Sequence, residues 1–133
     1  MQPFRTAIVG IPDDTHVPYT DFVQWVAQPW DTRNGLVTLA GDSAHPMAPF
    51  RGQGGNHAIQ DAHNFVEAAK QIVAEPDLKA KSALQSRLMQ GYSDELAKRG
   101  AEETVQSAKN GKMMLDYYDF KESPYMKQGL SKG

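Results

Sequence analysis

The chain has 133 residues, a length that suits one compact domain or a piece of a larger one. Hydrophobic residues make up 40% and charged residues 23%, the balance of a soluble globular protein rather than a disordered tail. Fourteen basic against sixteen acidic side chains leave a formal charge of −2, which gives no electrostatic case for nucleic acid or an anionic membrane as partner. The absence of cysteine removes disulfides, thiolate nucleophiles and thiolate metal sites.

The N-terminal stretch has no basic region followed by an apolar core, so it is not read as a signal peptide. No apolar run approaches the ~20 residues that span a bilayer, and a cytoplasmic location is expected. Residues 4–10 read as a short strand, broken by a turn at 11–14. In 19–30, Phe22, Trp25 and Val26 fit one helical face, with Thr20 or Asp21 as cap and Pro29 as stop. A turn at 31–35 leads to Leu36, Val37, Thr38, Leu39 and Ala40, a nearly continuous apolar run of the kind expected for a strand buried on both faces of a sheet.

Residues 41–56 hold two prolines and four glycines, which forbid regular structure through most of the stretch. A loop of this kind between a strand and a helix is a common place for a ligand site. The helix that follows is the clearest element. Ala58, Ile59, Ala62, Phe65, Val66, Ala69, Ile72 and Val73 recur at three- and four-residue steps as one apolar stripe, which reads as core. Residues 75–77 end it. A second helix is predicted from about 78 to 99, with Leu84, Leu88, Tyr92 and Leu96 four apart and Gly91 inside it. Gly100 marks a break before a third helical segment at 102–110. The tail from Met113 to Gly133 has no clear period.

Chemically, a glycine-rich loop feeding a helix offers backbone N–H groups and the positive end of the helix dipole, which suit an anion or a developing negative charge. Gly52, Gly54 and Gly55 let a flat ligand approach the backbone closely. Asp42, at the end of the predicted strand, is placed to accept hydrogen bonds from ribose-like or ribityl-like hydroxyls.

The run over residues 35–62, Gly-Leu-Val-Thr-Leu-Ala-Gly-Asp-Ser-Ala-His-Pro-Met-Ala-Pro-Phe-Arg-Gly-Gln-Gly-Gly-Asn-His-Ala-Ile-Gln-Asp-Ala, closely resembles the second FAD-binding signature of the p-hydroxybenzoate-hydroxylase-like flavoprotein monooxygenases. That signature reads strand, Gly-Asp-Ala-Ala-His-Pro, a Pro-x-x-Gly-Gln-Gly loop, Asn, then Ala-Ile-x-Asp-Ala on a helix. Ser43 replaces the usual Ala, and Leu36 sits where many members carry Arg. Trp30-Asp31 and Tyr92 with Arg99-Gly100-Ala101-Glu102 look like further family segments, so the resemblance runs from about 25 to 107.

The resemblance implies that Asp42 holds a ribityl hydroxyl of FAD, that Pro46 and Pro49 shape the wall beside the isoalloxazine, and that Gly52, Gln53, Gly54, Gly55 and Asn56 line the pyrimidine edge. It also implies hydroxylation or epoxidation of an aromatic or similar small molecule through a flavin C4a-hydroperoxide, with NADPH or NADH as reductant; the cofactor carries that chemistry and the protein supplies position and electrostatics. The family's Gly-x-Gly-x-x-Gly for the ADP half of FAD does not occur here, nor does its middle Asp-Gly segment. The expected fold is therefore α/β, the C-terminal fragment of an FAD/NAD(P)-binding fold, helix-rich after a short buried strand. It divides into a lead-in (1–34), the signature (35–62) and a helical region with tail (63–133). The isolated chain is expected to be inactive and to self-associate through an exposed sheet edge. The alternative is a non-catalytic truncated product or a helical interaction module.

Other residues carry plainer readings. His45, His57 and His63, spaced by twelve and six, fit no usual metal pattern. His57 and Asp61, four apart, suit a side-chain pair, and Asp61 is expected to tie down nearby backbone. Arg51 reads either as a contact to substrate or FAD phosphate or as a solvated loop arginine. Tyr117, Tyr118, Phe120 and Tyr125 read as packing of the C-terminal segment or as an interaction surface.

Overall fold

The structure, a computed structural model, describes residues 2–127 apart from Thr20, Phe22, Pro124 and Tyr125. Its elements are helices α1 (Gln2–Val9), α2 (Gly54–Ala74), α3 (Leu78–Leu115) and α4 (Tyr117–Glu122), with single 3-10 turns at Gly41–Ser43 and Pro49–Arg51. Among the described residues there is no strand, which corrects the expected α/β class. Strand structure is a property of pairing, since each backbone N–H and C=O needs a neighbouring chain to bond. Residues 4–10 instead satisfy their backbone locally as part of α1, closed by Gly10 N–H on the Thr6 carbonyl at 3.0 Å.

Residues 37–40 form no strand, and the run is not buried on both faces: Leu36 is 76% and Val37 46% exposed. The Leu36 and Val37 N–H groups bond back to the Thr32 carbonyl. Leu39 is half-buried against the small core of Ala44, Tyr92 and Leu96, on which Trp30 also packs. The Tyr92 hydroxyl donates to the Leu39 carbonyl at 2.9 Å and holds the segment there.

The helix expected at 19–30 is also absent from the described part of that span. Residues 23–30 are irregular, with Ala27 buried; Thr20 and Phe22 lie outside the described residues. The backbone carries Pro18 and Pro29, and Gln24 is used across the fold, its Oε1 accepting the Ala48 N–H at 3.1 Å.

α2 starts four residues before the expected stripe and joins α3 through residues 75–77. Asp77 caps α3 by accepting the Ala80 N–H at 2.8 Å, the role its side chain suits. α2 and α3 form an antiparallel pair, seen in the contacts Asp61–Arg99, Asn64–Glu95 and Phe65–Tyr92. α3 is one helix of 38 residues rather than two: Gly91 and Gly100 both lie inside it. Asp116 ends it and caps α4 by accepting the Tyr118 and Asp119 N–H groups.

The face α2 buries is not the predicted one. Asp61 and Ala68 are its buried residues, whereas Ile59 (71%), Val66 (46%) and Val73 (76%) are exposed. The total accessible area is 10205 Å², against roughly 6,900 Å² for a compact monomer of this size. Much apolar surface therefore stays in water, on the outer face of α2 and also along the irregular lead-in, where Val17, Tyr19, Val23, Leu36 and Val37 are exposed, and none of it lies on a sheet edge among the described residues. No helix among the described residues is long and apolar enough to cross a membrane.

Candidate functional site

The loop at 41–56 lies along α3, and the sequence of α3 shows why. Gly100, Thr104, Ser107 and Gly111 are all buried and follow one another at steps of four, three and four, which places them on one face of a helix. His45 sits over Gly100, where a Cβ would come within 2.6 Å of the His45 Cβ, and the Phe50 ring lies over Gly111, where a Cβ would collide with it. Ser107 Oγ donates to the Ala48 carbonyl at 2.5 Å. Small side chains thus form a bed for the loop, and Gly100 is a contact residue rather than a helix break.

A charged network locks the loop to both helices. The carboxylate of Asp61, on α2, is fully buried. Its Oδ2 accepts the Gly41 N–H at 2.8 Å and His45 Nε2 at 2.8 Å, and its Oδ1 accepts Arg99 at 2.6 Å. Burial pushes this carboxyl up, but the Arg99 guanidinium, the Gly41 N–H and His45 outweigh it and hold Asp61 below the ordinary carboxylate value. With Asp61 an ionised acceptor, His45 places its proton on Nε2. Arg99 also binds Glu95 at 2.7 Å and His57 Nδ1 at 2.7 Å; the Glu95 carboxylate first, and Asp61 after it, hold the guanidinium charged against the cost of burial. At the far end of the loop, Arg51 meets Glu103 at 2.5 Å.

Two expectations change here. Asp61 does tie down nearby backbone, but His57 and Asp61 are joined through Arg99 and not to each other. Arg51 is neither solvated nor free, being half-buried and committed to Glu103. The side chains that anchor the loop, His45, Arg99 and the small stripe of α3, carry no site role in the sequence reading; the repeated small residues at 100, 104, 107 and 111 were the available signal.

Of the expected site residues, Asp42, Pro49, Gly52, Gly55 and Asn56 are exposed, while Pro46, Gln53 and Gly54 are half-buried. Asp42 is exposed in the first 3-10 turn, and its carboxylate makes no hydrogen bond or ion pair among the described residues. It follows Gly41, whose φ of 57° is left-handed. Pro46 is half-buried and Pro49 opens the second 3-10 turn. Gly52 ends that turn at φ 62°, and nothing lies within 4 Å of a Cβ built there or at Gly55. Gln53 precedes α2 without capping it; its Oε1 accepts the Asn56 Nδ2 at 2.9 Å. The first-turn N–H groups of α2, from Gly54 on, therefore have no side-chain cap. An apolar cavity of about 300 Å³ opens elsewhere, lined by Phe65, Ile72, Gln85 and Met89 among others, and touches none of these residues.

An FAD binding domain matches residues 14–107, and the chain belongs to that family. Among its relatives, the FAD-dependent monooxygenase phnB of Penicillium herquei is 39% identical over 129 residues, covering 97% of this chain and 30% of that protein. The FAD-dependent monooxygenase cctM of Talaromyces islandicus is 41% identical over 129 residues, covering 97% and 31%. A 4-methyl-5-nitrocatechol 5-monooxygenase of Burkholderia sp is 43% identical over 62 residues, 44% of this chain and 11% of that protein. No solved structure matches the chain. The chain thus spans about a third of the length of the first two relatives.

Proposed function

We propose that residues 41–56 contact the flavin of FAD within an FAD-dependent monooxygenase that oxygenates an aromatic or similar small molecule, with NADPH or NADH as reductant. The observation that carries it is the loop's polarity: a buried side bonded to α2 and α3, and an outer side where an unengaged Asp42, the open space at Gly52 and Gly55, and the uncapped start of α2 lie along one stretch. These residues fit a flat, polar ligand with a hydroxylated chain. Asp42 would accept from a ribityl hydroxyl; Pro46 and Pro49 would wall the ring system; Gly52, Gln53, Gly54, Gly55 and Asn56 would line its polar edge, and the N–H groups of α2 favour negative charge there. FAD, when bound, supplies the oxygen activation. The relatives' names support monooxygenation, and one of them names a nitrocatechol as substrate.

The exposed apolar face of α2 favours a second reading, a helical interaction module without chemistry. A whole protein carrying this segment separates the two. On the first reading it purifies yellow, oxidises NADPH or NADH with substrate, and loses FAD on Asp42→Ala. A colourless protein, or one whose FAD retention ignores Asp42→Ala, contradicts it.

A further inference from the structure

We infer that Asp61 is a positioning residue for the cofactor loop, setting the orientation of Asp42 through the Gly41 peptide; this rests on the flavin-contacting role proposed above. Asp61 is fully buried and does not reach the loop's exposed side. Its Oδ2 holds the N–H of Gly41, the residue before Asp42, and the imidazole of His45, the third residue after it. The two bonds bracket the 3-10 turn that carries Asp42. Gly41 stands in the left-handed region at φ 57° and its N–H is held by Asp61, so the Gly41 peptide sets where the Asp42 side chain emerges. The other carboxylate oxygen is fixed by Arg99, which Glu95 and His57 orient in turn. The turn bearing Asp42 is thereby referenced to α3 and not only to its own helix.

Two measurements test this. In the 133-residue chain without flavin, amide exchange followed by NMR should show a protected Gly41 N–H. Asp61→Asn should speed exchange at Gly41 about tenfold more than at Tyr92 and Leu96, since a lost local tie opens locally and not globally. Uniform acceleration across loop and helices would reduce Asp61 to a purely structural role and overturn the inference. Should Asp61→Asn not fold, Arg99→Lys takes its place, because lysine cannot hold Asp61 and His57 together; an unchanged Gly41 amide then overturns the inference.

The second measurement is FAD affinity in a whole monooxygenase carrying this segment, by quenching of flavin fluorescence. Asp61→Asn should weaken FAD by about tenfold, and the Asp42→Ala, Asp61→Asn pair should lose no more than Asp42→Ala alone, because residues acting through one contact are non-additive. Additive losses overturn the positioning role. If Asp42→Ala itself changes nothing, the flavin reading fails, while the exchange result still decides whether Asp61 holds the turn.

Discussion

Asp61 on α2 and Arg99 on α3, thirty-eight positions apart, meet at 2.6 Å with the Asp61 side chain fully buried and the Arg99 side chain 19% exposed. This pair is what converts a helical hairpin into a platform for the loop. Both partners carry further bonds, so neither charge is left unpaired, which is the condition under which a buried ion pair is tolerated.

Acid should release this junction. The folded Asp61 carboxyl lies below its unfolded value of 3.8, so its contribution is fully present above that value and is lost as pH falls through the lower folded pKa. Thermal melts of the chain should show a midpoint that declines below about pH 4. Asp61→Asn should have a lower midpoint at neutral pH and a shallower acid decline; an identical acid slope in both proteins would show that Asp61 is not the group titrating.

Alkali should act through Tyr92. Burial first, with the nearby Asp61 charge, pushes its hydroxyl up to about 12 from 10.0. The stability tied to this raised pKa is intact below 10 and is lost as pH rises toward 12. Tyr92→Phe should remove that alkaline loss while costing about 1 kcal/mol at neutral pH, from the hydrogen bond to the Leu39 carbonyl.

Gly100→Ala should destabilise the chain by about 1–3 kcal/mol, the usual range for overpacking a close contact. The added Cβ meets the His45 Cβ at 2.6 Å and its ring at 3.1 Å. Helix propensity alone favours alanine over glycine, so urea melts decide between the two effects. A stabilised variant would show that His45 has room to move.

How far the sequence disclosed the structure depended on how local each signal was. The periodicity of α2 and the turn-forming loop are local, and both are present, as is the Asp61 tie to backbone. The strand at 36–40 depended on pairing partners, which the described residues do not offer, so the apolar run is irregular, with Leu36 and Val37 exposed and Leu39 packed on the core. The break at Gly100 failed because glycine there answers a crossing side chain, His45, from fifty-five positions away. The apolar stripe was identified, but which of its residues are buried is set by α3, and α3 takes the Asp61 and Ala68 side.

That leaves Ile59, Val66 and Val73 on an open face, and self-association should follow from it. Sedimentation of the chain should show oligomers in a concentration-dependent series, and Val66→Glu with Val73→Glu should shift it to monomer. A monodisperse wild-type monomer would show that this face is tolerated in water.

The most direct test is NMR titration of the 133-residue chain with FMN, FAD and AMP. The flavin contacts are proposed for residues 41–56, and the chain carries no Gly-x-Gly-x-x-Gly for the ADP half. Each absent charge-assisted hydrogen bond is worth roughly 1.5–3 kcal/mol, and each ~1.4 kcal/mol is tenfold in affinity, so binding should be weaker by several orders of magnitude than in a whole flavoprotein. FMN and FAD should therefore bind weakly and about equally, shifting the amides of Asp42 and Gly52 to Asn56, while AMP shifts none of them. Tight stoichiometric FAD binding, or flavin-induced shifts confined to the cavity around Phe65 and Met89, would contradict the assignment of this loop.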